Sequence, residues 1–155
     1  MVAFRAVAMA CALAGVGLVV RAQAPAPDPR LTIADVEKVS GVSGVKQVAQ
    51  GSMTGAGGAL NFTGPDGKLI LMVNFATASL YDGARKNQIV FHALVPDVGD
   101  EAFDAPPGTM QYVLYVKKGA KAVSLTSFLS TTRPYAPKLT MDQLKALARV
   151  VLARL

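Results

Sequence analysis

The side chains most able to do acid–base chemistry lie in one stretch in the middle of the chain. Four carboxylates fall within eight residues, at Asp97, Asp100, Glu101 and Asp104, and the only histidine, His92, precedes them. Such oxygens suit calcium, but the spacing is not that of an EF-hand loop, so a solvated acidic turn over residues 97–104 is the favoured interpretation. The catalytic alternative is a hydrolase or transferase that uses Asp100, Glu101 and His92. It requires folding to bring the imidazole within hydrogen-bonding reach of these carboxylates.

Two further stretches are similar to motifs of catalytic or phosphate-binding sites. Residues 43–46, Ser-Gly-Val-Lys, match the S-x-x-K pattern of serine acyl-enzymes, but the adjacent glycines oppose a helix and neither S-D-N nor K-T-G follows. Residues 51–58 are glycine-rich but lack the Gly-Lys-Ser/Thr ending of a P-loop. A single histidine also provides no His pair for a metal. We therefore predict no catalytic residue, no cofactor and no metal site, and interpret both stretches as loops.

Three lysines, Lys117, Lys118 and Lys121, are concentrated where a hairpin is expected to turn. A turn at Gly119 would hold them close together, and their summed potential would attract an anionic surface. They are the predicted binding residues, for an anionic envelope component or a protein partner, and the alternative is ordinary solubilising charge. A nucleic-acid partner is not expected, because the chain has no tryptophan and only 6% aromatic residues with which to stack on bases.

The N-terminus has the composition of a secretory signal peptide, which we expect to occupy residues 1–22. A basic head precedes an apolar run over residues 6–20, which is shorter than the roughly 18–20 residues that span a bilayer. Val20 and Ala22 place small side chains three and one residues before a cut, so cleavage is expected between Ala22 and Gln23. The protein is therefore expected to be exported, periplasmic or extracellular, with no permanent membrane span after cleavage.

The one cysteine, Cys11, lies inside the apolar run. A lipid anchor at Cys11 is the alternative to cleavage, but residues 8–10 do not form a leucine-type lipobox. Once cleavage removes Cys11, the mature domain has no thiol, which excludes disulfides, thiolate catalysis and Cys-ligated zinc. Residues 23–30 alternate with proline and are interpreted as a Pro/Ala linker. Residues 31–155 are enough for one domain with one core.

Alternating apolar residues and turn signals predict two β-hairpins. Ala59–Thr63 and residues 68–75 flank a Gly-Pro-Asp-Gly turn, in which proline suits the second position and glycine the left-handed one. Residues 111–117 and Lys121–Phe128 flank a Lys-Gly-Ala turn and form the second hairpin. A short edge strand is expected over residues 45–49.

Three helices complete the predicted fold. Thr32 with Asp35 forms a capping box that opens a short first helix, and Thr140 with Gln143 repeats the pattern before a final helix. Residues 79–86 are predicted to form a middle helix. The final helix carries apolar residues at three- and four-residue spacing, namely Leu144, Leu147, Ala148, Val151 and Leu155. This order of elements predicts an α+β fold, an antiparallel sheet built from hairpins with helices packed on one face.

The stretch that carries the clustered carboxylates also carries a family resemblance. Residues 98–103, Val-Gly-Asp-Glu-Ala-Phe, are followed by a strand, a turn glycine, a second strand and a terminal helix. This C-terminal half resembles a group of exported bacterial domains of unknown function, several of them lipoproteins, with a G-D-E-A turn before a hairpin and a final helix. The resemblance implies an α+β sheet-and-helix domain and no particular activity.

These observations favour a non-catalytic exported binding or interaction module of the cell envelope. The chain has an export signal and a core, but it lacks a recognisable nucleophile, metal-ligand set or acid pair. The hydrolase or transferase alternative remains open. So does a structural subunit of an envelope assembly, which would present an exposed apolar patch.

Overall fold

The computed structural model describes residues 28–48, 58–87, 90–105, 111–130 and 136–155. The expected signal peptide, its cleavage site and most of the expected linker lie outside these residues. The described elements, in chain order, are α1 (Ile33–Ser40), β1 (Lys46–Val48), β2 (Ala59–Thr63), β3 (Leu69–Thr77), α2 (Ala78–Lys86), β4 (Ala93–Leu94), β5 (Glu101–Asp104), β6 (Gln111–Lys118), β7 (Lys121–Phe128) and α3 (Met141–Ala153). The strands form one antiparallel sheet in the order β1-β2-β3-β7-β6-β5-β4.

Both predicted hairpins are confirmed. The turn between β2 and β3 closes with a hydrogen bond of 3.0 Å from the Gly67 amide to the Gly64 carbonyl, and Gly67 has a left-handed φ of 73°. β6 and β7 pair along their whole length around Gly119. The two hairpins join at the centre of the sheet, where β3 pairs with β7 from Leu71 opposite Ser127 onward. The expected edge strand is also present as β1.

The first and last helices begin as the sequence predicts. Both capping boxes are formed, and α1 ends at Gly41, which has a left-handed φ of 73°. α1 and α3 contact each other, and α3 packs on β6 and β7. The apolar stripe of α3 is fully buried at Leu144, Leu147, Ala148 and Val151. The main core therefore lies between these two helices and one face of the sheet, which we call the inner face.

The middle helix α2 is confirmed, but it packs on the opposite face of the sheet, which we call the outer face. Side chains alternate between the two faces of a strand. On β6, Leu114 and Val116 belong to the main core, whereas Tyr115 belongs to a second cluster with Tyr81 and Phe103. The α+β class with helices against an antiparallel sheet is thus confirmed. Packing on a single face holds for α1 and α3, while α2 differs because its buried residue, Tyr81, meets aromatic rings on the other side.

The acidic stretch differs from the solvated turn that the sequence suggests. Residues 97–100 form the turn, but Glu101–Asp104 is strand β5, and Asp104 is only 8% exposed. The reason is that Ala102 and Phe103 alternate to opposite faces of the sheet, where each is buried in one of the two apolar clusters. β5 pairs with β6 on one side and with the two-residue strand β4 on the other.

The domain also includes the end of the predicted linker. Arg30 forms an ion pair of 2.7 Å with Asp28, and its guanidinium lies 3.6 Å from the centroid of the Phe75 ring. The Pro29 carbonyl accepts a hydrogen bond of 3.4 Å from Arg154. Residues 28–30 therefore lie against the folded domain.

Candidate functional site

The structure places the three residues of the catalytic alternative in different local environments. His92 Nδ1 lies 3.2 Å from the Asp104 carboxylate, and Asp100 accepts a hydrogen bond of 2.7 Å from the Gly119 amide. Glu101 lies three residues along β5 from Asp104, a distance of about 10 Å for an extended strand. The carboxylate that folding brings to His92 is thus Asp104, a pairing that sequence reasoning did not anticipate.

The His92–Asp104 pair has the geometry of an oriented imidazole. The Asp104 carboxylate also accepts a hydrogen bond of 2.9 Å from the Ala93 amide, which fixes it in place. The His92 side chain is 55% exposed. In the described part of the chain, no hydroxyl or thiol is hydrogen-bonded to its ring, and a nucleophile in that position is what a triad requires.

The charged residues of β5, β6 and α2 form one ion-pair network. Lys117 Nζ lies 2.8 Å from Asp82 and 3.2 Å from Glu101, and Glu101 also pairs with Arg85. Hydrogen bonds to Asp82 and then Glu101 raise the pKa of Lys117 above its ordinary value. Two cations and two carboxylates compensate one another, so the network holds α2 on the sheet.

The hairpin tip has less available positive charge than the sequence suggests. Of the three predicted binding lysines, Lys117 belongs to the ion-pair network and Lys121 donates a hydrogen bond to the backbone carbonyl of Leu155. Lys118 is exposed at the tip. The antiparallel register separates Lys117, which points to the outer face, from Lys118 and Lys121, which point to the inner one.

An apolar pocket opens between α2 and the outer face of the sheet. Its cavity volume is about 70 Å³. It is lined by Ala76, Leu80, Tyr81, Tyr115, Ala122, Val123 and Ser124. Ala76 of β3 lies directly opposite Ala122 of β7. Because both side chains are small, they leave space above the outer face of the sheet at this point. Leu80, by contrast, is 60% exposed. We call this feature the outer-face pocket.

Tyr81 combines deep burial with an unsatisfied polar group. The residue is 2% exposed, and its hydroxyl has no hydrogen-bond partner among the described residues. Two other buried polar atoms share this property, Gln47 Oε1 and Asn61 Oδ1, but they lie on β1 and β2. Burial, followed by the nearby Glu101 carboxylate, raises the pKa of Tyr81 to about 12, so its hydroxyl stays protonated at neutral pH.

Aromatic contacts hold Tyr81 in position. Its ring centroid lies 5.1 Å from that of Phe103, and Phe103 stacks on Tyr115 with a centroid distance of 4.7 Å and an interplanar angle of 12°. Phe91 completes the cluster at 5.6 Å from Phe103. Because such rings are large and stiff, the wall of the outer-face pocket is preorganised.

Two further properties concern the described residues as a whole. Within the five described ranges, no three histidine, cysteine, aspartate or glutamate side chains converge as a metal site would require. Asp100, Glu101 and Asp104 have separate partners instead. None of the three described helices has the length and hydropathy to cross a bilayer.

The motif that carries the family resemblance has a structural task at each of its positions. Gly99 has a left-handed φ of 65°, and a Cβ atom there would lie 2.5 Å from the Lys117 carbonyl oxygen, so only glycine fits. Asp100 then caps the β6–β7 turn through Gly119, and Glu101 anchors the ion-pair network. The residues of this motif therefore hold β5 in place beside β6. Comparisons with protein-family models, curated proteins and solved structures found no match for this chain, and the resemblance stays an expectation.

Proposed function

We propose that this protein is an exported, non-catalytic binding module of the cell envelope, and that the outer-face pocket is its binding site. The observation that carries the proposal is an open apolar pocket beside Leu80, a large aliphatic side chain that is 60% exposed. Concave sites lined mainly by apolar and aromatic residues are typical of binding sites.

The positions of the acid–base residues support binding over catalysis. Glu101 is neutralised by Arg85 and Lys117, and Asp100 caps a turn. Neither lies in the wall of the outer-face pocket. A catalytic site would need an acid or base beside the bound ligand, whereas the pocket lining consists of alanine, leucine, valine, tyrosine and serine residues.

Export is the part of the proposal that the N-terminal sequence supports. Expression in a bacterial host with a Sec pathway, followed by intact-mass measurement of the periplasmic fraction, tests it directly. We expect a mature chain that begins at Gln23. A chain that retains Met1, or one with a lipid on Cys11, would contradict this part of the proposal.

The binding part is tested with a substitution that fills the pocket. Ala76→Leu places a larger side chain on the pocket wall, and Ala93→Leu, on the exposed edge strand β4, is a matched control. Crosslinked envelope complexes are captured with each variant and quantified after both are shown to unfold at the same denaturant concentration. We expect Ala76→Leu to lose capture and Ala93→Leu to retain it.

The same design separates binding from the catalytic alternative. In a strain that lacks the native copy, each variant is tested for its ability to restore the phenotype of the deletion. A hydrolase or transferase that uses the imidazole would lose function in His92→Ala and keep it in Ala76→Leu. The reverse pattern is expected for the binding module.

A further inference from the structure

We infer that residues 90–96 form a strap that opens as a unit from the edge of the sheet, and that the Asp104 carboxylate is the catch that holds this strap closed. The strap contains β4, the two-residue strand at one end of the sheet, and does not line the outer-face pocket. It is therefore independent of the proposed binding site. Three features carry the inference: the bonds that hold the strap, its exposure, and the backbone that it covers.

One residue of β5 accepts several of the bonds that hold the strap. The His92 amide donates to the Asp104 carbonyl at 3.0 Å, and the Ala93 amide donates to the Asp104 carboxylate at 2.9 Å. The same carboxylate lies 3.2 Å from His92 Nδ1. Farther along, the Val95 amide donates to the Ala102 carbonyl at 2.9 Å. Because a charged acceptor makes stronger hydrogen bonds than a neutral one, the carboxylate is the main polar hold on the strap.

The strap also supplies the partners that this carboxylate needs. Asp104 is 8% exposed, and in the described part of the chain its ion-pair partner is His92 rather than a lysine or arginine. A carboxylate removed from water is costly unless hydrogen bonds replace that water. The Ala93 amide and the His92 imidazole take this role while the strap is closed. The closed strap and the carboxylate therefore stabilise each other, and opening returns Asp104 to water.

The strap has few other anchors. Residues 92–94 are exposed, and β4 pairs with β5 at two positions, whereas β6 pairs with β7 at eight. The apolar anchors are Val90 and Phe91, which pack on the outer-face aromatic cluster, and Val95, which packs on the main core. Segments with few buried contacts and an exposed backbone open at a lower free energy than the whole domain. We therefore expect the strap to open while the rest of the sheet stays folded.

Opening of the strap changes what the edge of the sheet presents. The carbonyl oxygens of Ala102 and Asp104 face the strap and accept its amides, while β5 is paired with β6 along all four of its residues. Without the strap, these carbonyls form the open edge of the sheet, and such an edge is a template for pairing with another extended chain. β4 is a poorer template, because it has two residues and Pro96 brings no amide hydrogen. The closed strap is thus a cover over the pairing edge of β5.

Native-state hydrogen exchange tests whether the strap opens by itself. Exchange of the Ala93 and Val95 amides is followed by NMR on the whole protein, with the Leu125 amide in the central strand β7 as the reference. We expect the two strap amides to exchange at least about tenfold faster than the Leu125 amide.

Leu147→Ala provides the decisive comparison. It removes core packing of α3 that is present whether the strap is open or closed, so exchange of the strap amides should stay at the wild-type rate. The Leu125 amide, whose exchange requires global unfolding, should accelerate. Equal acceleration of the Leu125 and strap amides would overturn the inference, because it would mean that the strap opens only together with the whole domain.

Further variants test the catch. Asp104→Ala removes the carboxylate, and the strap amides should then exchange about tenfold faster or more. Asp100→Ala is the matched control, because it removes a carboxylate that bonds to the Gly119 amide instead, and it should leave the strap amides unchanged. If Asp104→Ala does not fold, His92→Ala removes the exposed half of the pair and should accelerate the Val95 amide about threefold. Unchanged exchange in whichever of these two variants is measured would show that the carboxylate does not hold the strap.

Discussion

Replacing Tyr81 by phenylalanine should stabilise the folded protein. The hydroxyl is buried and has no partner among the described residues, so the folded state carries its desolvation cost without a compensating bond. Phenylalanine keeps the ring and its 5.1 Å contact with Phe103 while it removes that cost. We expect the free energy of unfolding to rise by about 1–2 kcal/mol, a large fraction of a typical domain stability of roughly 5–15 kcal/mol.

The effect should grow at alkaline pH. The pKa of Tyr81 is raised from 10.0 to about 12 in the fold, first by burial and then by the Glu101 carboxylate. Between these values the unfolded chain has already lost the proton that the folded protein retains, so the free energy of unfolding of the wild type falls as pH rises from about 10 to about 12. Tyr81→Phe has no hydroxyl to titrate at this position. The difference in free energy of unfolding between the variant and the wild type should therefore widen as pH rises from about 10 to about 12.

Urea unfolding followed by far-UV circular dichroism, at neutral pH and at several values above 9, measures both effects. Tyr115→Phe is the matched control, because Tyr115 belongs to the same aromatic cluster but its hydroxyl is not among the buried atoms without a partner. Its stability should change by less than about 0.5 kcal/mol at neutral pH. A loss of stability in Tyr81→Phe of 1 kcal/mol or more would refute the reasoning, because it would mean that the hydroxyl makes a stabilising bond.

Three further predictions test other parts of the fold. Leu147→Ala should lower the free energy of unfolding by about 2–5 kcal/mol, since this residue of α3 is fully buried, and a denaturant midpoint measures it. Gly99→Ala should destabilise far more than Gly67→Ala in thermal unfolding. Both glycines have a positive φ, but only at Gly99 would the new Cβ lie 2.5 Å from the backbone of β6. Asp35→Asn should cost about 0.5–2 kcal/mol at neutral pH through the cap of α1. Its ion pair with Arg154 lowers the pKa of Asp35, so this carboxylate contributes stability above its unfolded pKa near 4. The difference between wild type and variant should therefore shrink as pH falls below that value, and an acid titration of stability that leaves it constant would contradict the assignment.

Sequence reasoning succeeded where the signals are local. The capping boxes at Thr32 and Thr140 and the Gly-Pro-Asp-Gly turn each act within four residues, and all three are present in the structure. The pairing of β3 with β7, by contrast, joins Leu71 to Ser127 across 56 positions. Hydrophobic alternation shows that each strand has two faces but does not show which strand lies beside it.

The candidate site was missed for a related reason. The pocket exists because α2 crosses the outer face above small residues of β3 and β7, and no spacing in the sequence records that crossing. The partner of His92 was missed because β4 has only two residues, too few for an alternating pattern. The prominent charges of the sequence, such as Lys117 and Glu101, turned out to bind one another. These charged side chains suggest binding or acid–base chemistry when only the sequence is considered, but in the structure they hold α2 on the sheet.

The ring and the hydroxyl of Tyr81 have different surroundings. The ring contacts Phe103 and Tyr81 lines the outer-face pocket, whereas the hydroxyl is buried and experiences the charges of Glu101, Arg85 and Lys117. Tyr81→Phe should therefore raise the free energy of unfolding and leave envelope capture unchanged, because the ring that shapes the pocket is retained. Tyr81→Ala removes that ring and should lower both stability and capture. A loss of capture in Tyr81→Phe would contradict this division, because it would mean that the hydroxyl itself contacts the partner.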